Sequence, residues 1–211
     1  MSFPEAFFVV PLPVYVIDIV STYSGYPRSD NPYTFKVPMS KTCIADPCCC
    51  LASLVCPLPV ACVNRHRALE GNMDEYKCCQ GYYPLCGFRA GEVGESTCPS
   101  MCLCLEATCC FTCAVSATRN YLMDKYRIHP DPMDYQIIRC SNAMQCLACI
   151  CSLASICVKD LREGARILRH VAHITFCTVQ GCMQTQSAVE IAFQEKKGVQ
   201  APTVNAIQDR S

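Results

Sequence analysis

The apolar positions between Cys98 and Lys125 recur with the period of an α-helix, and no glycine interrupts them. At about 100° per residue, one narrow stripe of mostly small side chains results. Its members are Cys98, Cys102, Leu105, Cys109, Cys113 and Ser116. The pattern predicts a single helix over this segment, with a face that allows close packing against another helix.

The segment Asp131–Asp134 has the composition of a helix N-terminus. Its first aspartate can cap the helix, the following proline suits the first helical position, and the second aspartate lies beside the positive end of the helix dipole. We predict one long helix from here to about His173, with Gly164 as its weak point, and a last helix from Thr175 to Gln194.

Two ends of different composition flank these helices. Residues 1–42 are rich in proline and aromatic residues and predict an extended arm, whereas residues 196–211 are polar and predict a frayed tail. We therefore expect a mainly α protein. Its cysteine-rich bundle of about four helices would occupy residues 43–195, between the N-terminal arm and the C-terminal tail.

The chain has 22 cysteines among 211 residues, and all of them lie between Cys43 and Cys182. Such a density is typical of secreted disulfide scaffolds. The apolar N-terminus, however, lacks the basic region of a secretory signal and contains three prolines that break a signal helix. We therefore expect an intracellular protein, cytoplasmic, cytoskeletal or ciliary, whose thiols stay reduced or bind a metal.

The charges of the chain balance, with 18 basic and 18 acidic residues. The basic excess that nucleic-acid binding needs is therefore missing, and we expect no nucleic-acid partner. Charged residues make up 17% of the chain, below the usual level of about a quarter. A chain so poor in charge is expected to bury part of its surface against protein or lipid.

Two stretches, 47–64 and 140–158, carry no charge and approach the length of a membrane helix. The first is interrupted by Pro57 and Pro59, the second contains five polar side chains, and the segment 98–118 has Glu106 near its centre. Such interruptions are costly in lipid. They favour buried core helices, and they leave membrane association as the alternative.

Within residues 118–128 the chain has the pattern Arg-x-x-Leu-x-x-Lys-Tyr-x-Ile. Around this pattern lie Cys109, Cys110, Cys113, Asp131, Asp134, Cys140, Cys146 and Cys149. Over roughly residues 48–160 the chain resembles the placenta-specific-eight-like cysteine-rich proteins, which include cornifelin and the plant cadmium-resistance and cell-number-regulator proteins. It departs from them at Cys48–Cys50, where the family usually reads Cys-Cys-Pro-Cys. The resemblance implies a membrane-associated protein linked to metal tolerance or growth control, without an enzyme activity.

Two Cys-x-x-Cys pairs lie in separate predicted helices: Cys110 with Cys113, and Cys146 with Cys149. Together they would offer a four-thiolate zinc site that joins the two helices, so structural zinc is the expected cofactor. A chain this rich in cysteine is also expected to contain two such pairs by chance. Buried thiols that act as small hydrophobic residues are therefore the other interpretation.

A weaker metal site is predicted from three residues that would share a helical face, His170, His173 and Cys177. Positive charge close by opposes metal binding there. That charge belongs to a basic stripe formed by Arg162, Arg166 and Arg169. A basic stripe beside an apolar one is typical of helices that lie on anionic lipid or on an acidic protein surface, and an ordinary solvated face is the alternative.

Three functions are compatible with these patterns. The first, which the sequence favours, is a non-catalytic structural or interaction subunit held by protein partners in a large assembly, axonemal or cytoskeletal. The second is a membrane-associated protein of the placenta-specific-eight-like type that acts in metal or ion homeostasis, and the third is a soluble thiol buffer for zinc or other soft metals. No enzyme and no small-molecule substrate are expected, because no phosphate-binding glycine loop is present and the cysteine pairs lie inside helical segments.

Overall fold

The computed structural model describes residues 28, 30–83, 90–91 and 94–198, which fold as a mainly helical protein. Seven α-helices lie in these residues: α1 Thr42–Ala45, α2 Pro47–Val55, α3 Pro57–Ala68, α4 Pro99–Cys109, α5 Phe111–Lys125, α6 Pro132–Cys157 and α7 Arg162–Lys197. Short 3₁₀-helices lie at Met39–Lys41, Met73–Glu75, Cys78–Gly81 and Lys159–Leu161. The predicted α class is confirmed, with more helices than the four expected.

Single non-helical residues separate the first three helices. Asp46 ends α1 with φ −142° and ψ 82°, and its carboxylate caps α2 by accepting a hydrogen bond from the backbone N–H of Cys49. Cys56 separates α2 from α3 with φ −128° and ψ 61° and precedes Pro57. The residue before a proline avoids the helical region, and proline suits a first turn, so each of these steps ends one helix and starts the next.

The helix predicted over Cys98–Lys125 is broken at Cys110, where φ is −136° and ψ is 51°. The helix axis changes direction by 118° from α4 to α5. The predicted continuous stripe is therefore wrong, since Leu105 is 62% exposed whereas Cys113 is buried. The bend has a physical reason. A buried cation hydrogen-bonds to residues on both sides of it, and a straight helix would hold these residues too far apart.

That cation is Arg65 of α3, whose side chain is fully buried. Its Nη2 donates to Glu106 Oε1 of α4 at 3.3 Å and to the Ala114 carbonyl of α5 at 2.9 Å, and its Nε donates to Thr118 Oγ1 at 2.9 Å. A buried charge has to be paired and hydrogen-bonded. This network therefore fixes α3, α4 and α5 relative to one another.

The start of α6 follows the prediction, since the Asp131 carboxylate accepts from the backbone N–H of Met133 at 2.8 Å. Its predicted end near His173 is wrong. The helix ends at Cys157, and after the turn 158–161 α7 runs unbroken through the predicted boundary at 173–175. The predicted start of the last helix at Thr175 is wrong for the same reason.

Because the chain turns at residues 158–161 and not near His173, α6 and α7 pack together as an antiparallel hairpin. Gln145 Nε2 donates to the Ala172 carbonyl at 2.6 Å, and Arg169 Nη2 donates to Ser152 Oγ at 3.2 Å. The small side chains of Ala148 and Ala165 are buried. Small residues of this kind let two helices approach closely, so the hairpin gains contacts that one long helix would lack.

The C-terminal half of α7 lies in the core and packs against α2. A Cβ atom on Gly181 would lie only 2.9 Å from Leu54 Cδ2, so this glycine lets α2 approach closely. One turn further on, the carbonyl of Gln184 accepts from Asn64 Nδ2 of α3 at 3.0 Å. The core half of α7 is therefore fixed by contacts with several helices.

Asp134 at the start of α6 joins three parts of the chain. Its Oδ2 accepts from Arg119 Nη2 of α5 at 2.9 Å and from Gln186 Nε2 of α7 at 2.6 Å. Its Oδ1 accepts from the backbone N–H of Met39 at 2.9 Å. The side chains of Arg119 and Asp134 are both buried, so this is a second charged centre inside the protein.

Part of the predicted arm packs on the helical body. Arg28 forms a bidentate ion pair with Asp124 of α5, Tyr33 forms a parallel bridge with Ile128, and Phe35 is buried. Residues 1–27 of the arm and 199–211 of the predicted tail lie outside the described residues. The described part of the predicted arm therefore packs against the helices that follow it in the sequence.

Among the described cysteines, Cys43 and Cys50 form a disulfide and nineteen others are thiols. The bridge joins α1 to α2, because the break at Asp46 brings the two Cα atoms to 5.1 Å. Cys182 Sγ of α7 lies 3.5 Å from Cys43 Sγ. This bridge differs from the expectation that the thiols stay reduced or bind a metal.

Candidate functional site

The α6–α7 hairpin has a buried half and an exposed half. In α7 nearly all residues from 179 to 191 are buried, but between 162 and 178 only Ala165 and Ala172 are. In α6, which the structure describes in full, no residue after Ala148 is buried. We call residues 146–178 the outer hairpin.

The outer hairpin exposes many large apolar side chains. Ile156 is 72% exposed and Ile174 is 65% exposed. The full set is Leu147, Ile150, Leu153, Ile156, Val158, Leu161, Ile167, Val171 and Ile174. Single exposed apolar residues are ordinary, but a concentration of them on one protruding element marks a surface that contacts protein or membrane.

The predicted basic stripe lies on the same element. Arg162, Arg166 and Arg169 are all exposed. Arg162 Nε donates weakly to the Ser155 carbonyl at 3.4 Å, so the stripe follows the seam between α7 and α6. Residues 140–177 contain four basic and two acidic side chains. The outer hairpin therefore combines an apolar surface with a basic one.

By length and composition, α6 is the one described helix that could cross a membrane on its own. Only 22% of its most apolar stretch is buried in the protein, so the expectation of a buried core helix over 140–158 does not hold. The other uncharged stretch, 47–64, is divided between α2 and α3. Helices α4 and α5 qualify only as a bent pair.

The two predicted Cys-x-x-Cys pairs lie apart. Cys146 and Cys149 are on the outer hairpin, whereas Cys110 and Cys113 are at the bend between α4 and α5. The structure, which describes all four residues, does not bring their sulfurs into one group of ligand atoms. The physical reason is that α6 packs along α7 rather than against α5.

The weaker predicted site is incomplete. Cys177 Sγ lies 3.7 Å from His173 Nε2, one turn away on α7. His170 is exposed and forms no three-ligand group with them among the described residues. Burial raises the pKa of the Cys177 thiol.

Another group of ligand atoms does come together, in the core. Cys78, Cys79 and Glu106 each place one ligand atom within 4.8 Å of the others, and no other such group occurs among the described residues. Cys110 and Cys113 pack against the same place. We call these five residues the thiol cluster. One predicted Cys-x-x-Cys pair thus meets an adjacent cysteine pair instead of its predicted partner.

The backbone and the buried carboxylate shape this cluster. Cys79 has φ 48° and ψ 22°, a left-handed conformation that turns the chain within the 3₁₀-helix Cys78–Gly81. Glu106 Oε2 accepts from the Cys79 backbone N–H and from Tyr76 Oη, both at 2.8 Å. The only signals in the sequence were the adjacent cysteines and a lone carboxylate in an apolar segment.

Most thiols with a shifted pKa in the described part of the chain are held protonated. Burial raises the pKa of Cys49 and Cys182, and it raises that of Cys62 to about 11. In the thiol cluster, a hydrogen bond between the two thiols lowers the pKa of Cys78 and raises that of Cys79. A protonated thiol is a weak nucleophile.

No protein-family model, no curated protein and no solved structure matches this chain. The resemblance to the placenta-specific-eight-like proteins therefore stays a prediction. Function has to be inferred from the outer hairpin and the thiol cluster themselves.

Proposed function

We propose that this chain is a non-catalytic, membrane-associated protein that docks through its outer hairpin on the surface of an anionic bilayer. The observation that supports this most is the exposure of α6, whose apolar stretch is only 22% buried in the protein. A helix of this composition gains free energy when its apolar face leaves water, by about 25 cal/mol per Å². The interfacial layer of a bilayer supplies that environment.

The charges of the hairpin favour docking on the surface over crossing the bilayer. Helix α7 carries Arg162, Glu163, Arg166 and Arg169 beside α6. At the centre of a bilayer each arginine would cost about 3 kcal/mol, whereas beside anionic headgroups it contributes about 1 kcal/mol of attraction. The arginines would therefore lie at the headgroups, with the apolar side chains just below them.

Vesicle sedimentation of the full-length protein tests this proposal. Vesicles of phosphatidylcholine with phosphatidylserine should bind the protein, and added salt should weaken binding. The triple variant R162A/R166A/R169A removes three charges, so its partition coefficient should fall roughly 100-fold. The variant K196A/K197A, which removes exposed lysines at the far end of α7, is the control and should bind like the unmodified protein.

The apolar part of the surface needs its own variant. Replacing Ile150, Leu153 and Ile156 with serine should abolish vesicle binding while leaving far-UV circular dichroism unchanged, because all three side chains are exposed. Equal binding by this variant would contradict the proposal. So would binding to pure phosphatidylcholine that neither salt nor the arginine variant affects.

A second candidate function is a subunit of a larger protein assembly, axonemal or cytoskeletal. A separate set of exposed apolar side chains favours it, on α1 and α2 rather than on the outer hairpin: Ile44, Leu51 and Val55 are each more than 60% exposed. Co-sedimentation with a salt-washed cytoskeletal fraction distinguishes the two functions. An assembly subunit should co-sediment and should lose this in L51S/V55S, whereas a membrane-docking protein should keep its vesicle binding in that variant.

A further inference from the structure

We propose that the thiol cluster binds one zinc ion, held by the sulfurs of Cys78, Cys79 and Cys113 and by a carboxylate oxygen of Glu106. This site lies in the core, on elements other than the outer hairpin. It goes beyond the proposed docking function and does not depend on it.

The thiol cluster has a spacing close to that of a zinc site. The ligand atoms of Cys78, Cys79 and Glu106 lie within 4.8 Å of one another. Around a tetrahedral zinc ion with Zn–S bonds of about 2.3 Å, the ligand atoms lie about 3.8 Å apart. Side-chain movements of about 1 Å would therefore bring these three ligand atoms to bonding distance from the ion, and Cys113 would have to approach from outside this group.

Cys113 is the fourth ligand that the packing favours. It is 3% exposed and belongs to the buried set that contains Cys79, whereas Cys110 is only half-buried and packs at the edge of this set. Three thiolates and one carboxylate match the donor types that zinc prefers. The ion would then join α4, α5 and the 3₁₀-helix Cys78–Gly81.

Glu106 has one acceptor position left for the ion. Its Oε2 accepts from Tyr76 and from the Cys79 backbone, and its Oε1 accepts from Arg65. A carboxylate offers about four lone-pair sites, two on each oxygen. The described contacts occupy three of them, so the remaining one lies on Oε1. The contacts that are already made would orient this oxygen, as hydrogen bonds to metal ligands commonly do.

A buried cation, Arg65, contacts the thiol cluster through Glu106. Three thiolates and one carboxylate leave an excess of two negative charges on a zinc centre, which needs a cation close by. Arg65 is fully buried, and its Nη1 has no hydrogen-bond partner in the described structure. Buried donors are nearly always paired, and a zinc-bound thiolate would be an acceptor of the right charge beside the Arg65–Glu106 pair.

Zinc binding at this site would release protons. Each of the three cysteines loses its thiol proton to water as its Zn–S bond forms, so one zinc ion taken up releases up to three protons. No oxidant or reductant is needed, because neither zinc nor sulfur changes its oxidation state.

Zinc content and cobalt(II) substitution of the full chain, purified under reducing conditions, test the site. We expect one zinc per chain and, with cobalt(II), the intense near-ultraviolet charge-transfer bands of cobalt–thiolate bonds. C113S should lose the zinc and C110S, its matched control at the edge of the cluster, should keep it. E106Q should weaken binding about tenfold or more, because the neutral amide is a poorer ligand than the carboxylate.

Several outcomes would overturn the proposal. They are less than half a zinc per folded chain, zinc retained by folded C113S, or zinc lost from C110S alone. Should C113S fail to fold, the cobalt(II) spectrum of the unmodified chain decides: charge-transfer intensity for three sulfurs supports the site, and a spectrum without cobalt–thiolate bands contradicts it. Vesicle binding is expected to be the same in C113S and C110S, so the two proposals can fail separately.

Discussion

Individual charged residues inside the core determine how these helices are oriented. Arg65 meets Glu106, and Arg119 meets Asp134, with all four side chains at 5% exposure or less. The sequence pattern around residues 118–134 contained Arg119 and Asp134, but nothing in it indicated that they pair. A charge on a helix is usually a solvated residue, and only tertiary packing turns it into a buried one.

Removing one partner of the second pair should be strongly destabilising. In D134N, the buried Arg119 keeps its charge but loses its carboxylate, and a buried pair broken in this way costs about 3–5 kcal/mol. Urea unfolding followed by circular dichroism measures the loss. The control is R67A, which breaks the exposed pair with Glu195 and should cost about 0–1 kcal/mol. Similar losses in both variants would contradict a buried role for Asp134.

Alkaline pH should destabilise the protein partly through Cys62. Burial is the main cause that raises its pKa from 9.0 to about 11 in the folded protein. A raised pKa means that the unfolded chain loses this proton first, so the contribution to stability is complete below pH 9 and is lost as the pH rises through about 11. Urea unfolding at several pH values should show a smaller alkaline decrease for C62A than for the unmodified chain. C157S, which replaces an exposed thiol, is the control.

At the scale of elements, start signals were easier to predict than ends. The Asp131 cap and the proline after it mark the start of α6 in sequence and structure alike. The bend at Cys110 and the turn after Cys157 have no such local signal, because both depend on distant partners: the Arg65 network for the bend, and packing along α7 for the turn. Helical periodicity continues across both positions and therefore predicted helices that were too long.

The close contact between α2 and α7 at Gly181 gives a prediction about one element pair. G181V should destabilise the protein by about 1–3 kcal/mol, because the new atoms overlap Leu54. The double variant G181V/L54A should recover part of that loss. G164A in the same helix, where a Cβ meets nothing within 4 Å, should be neutral or stabilising by up to about 1 kcal/mol. Thermal unfolding measures all three, and additive losses in the double variant would rule out the contact.

At the scale of the whole molecule, burial along α7 divides one helix into two regions. Composition predicted a chain that buries surface against something else, and the outer hairpin is one place where the described structure leaves apolar surface exposed. The sequence indicated the α7 side of that surface through the basic stripe but not the α6 side, because apolar residues in a core helix and in a docking helix look alike. Of the four cysteines predicted as zinc ligands, Cys110 and Cys113 lie in the thiol cluster, whereas Cys146 and Cys149 lie on the outer hairpin.

Hydrogen exchange should follow this division. Amides of the outer hairpin have few buried neighbours and should exchange much faster than amides of residues 179–191, although both lie in one continuous helix. Mass spectrometry of peptides from 146–178 and 179–191 measures the difference. Anionic vesicles should slow exchange in the first peptide set and leave the second unchanged. Uniform exchange along α7 would show that the outer hairpin is as stable as the core.

The unbroken length of α7 has a mechanical consequence. From Gln186, anchored in the core beside Asp134, to Arg162 the helix axis extends about 36 Å at 1.5 Å per residue. A pivot of about 5° at the anchored end would swing the arginine by about 3 Å, as far as one hydrogen bond. A small change in packing around Gln186 is thus amplified into a larger displacement of Arg162.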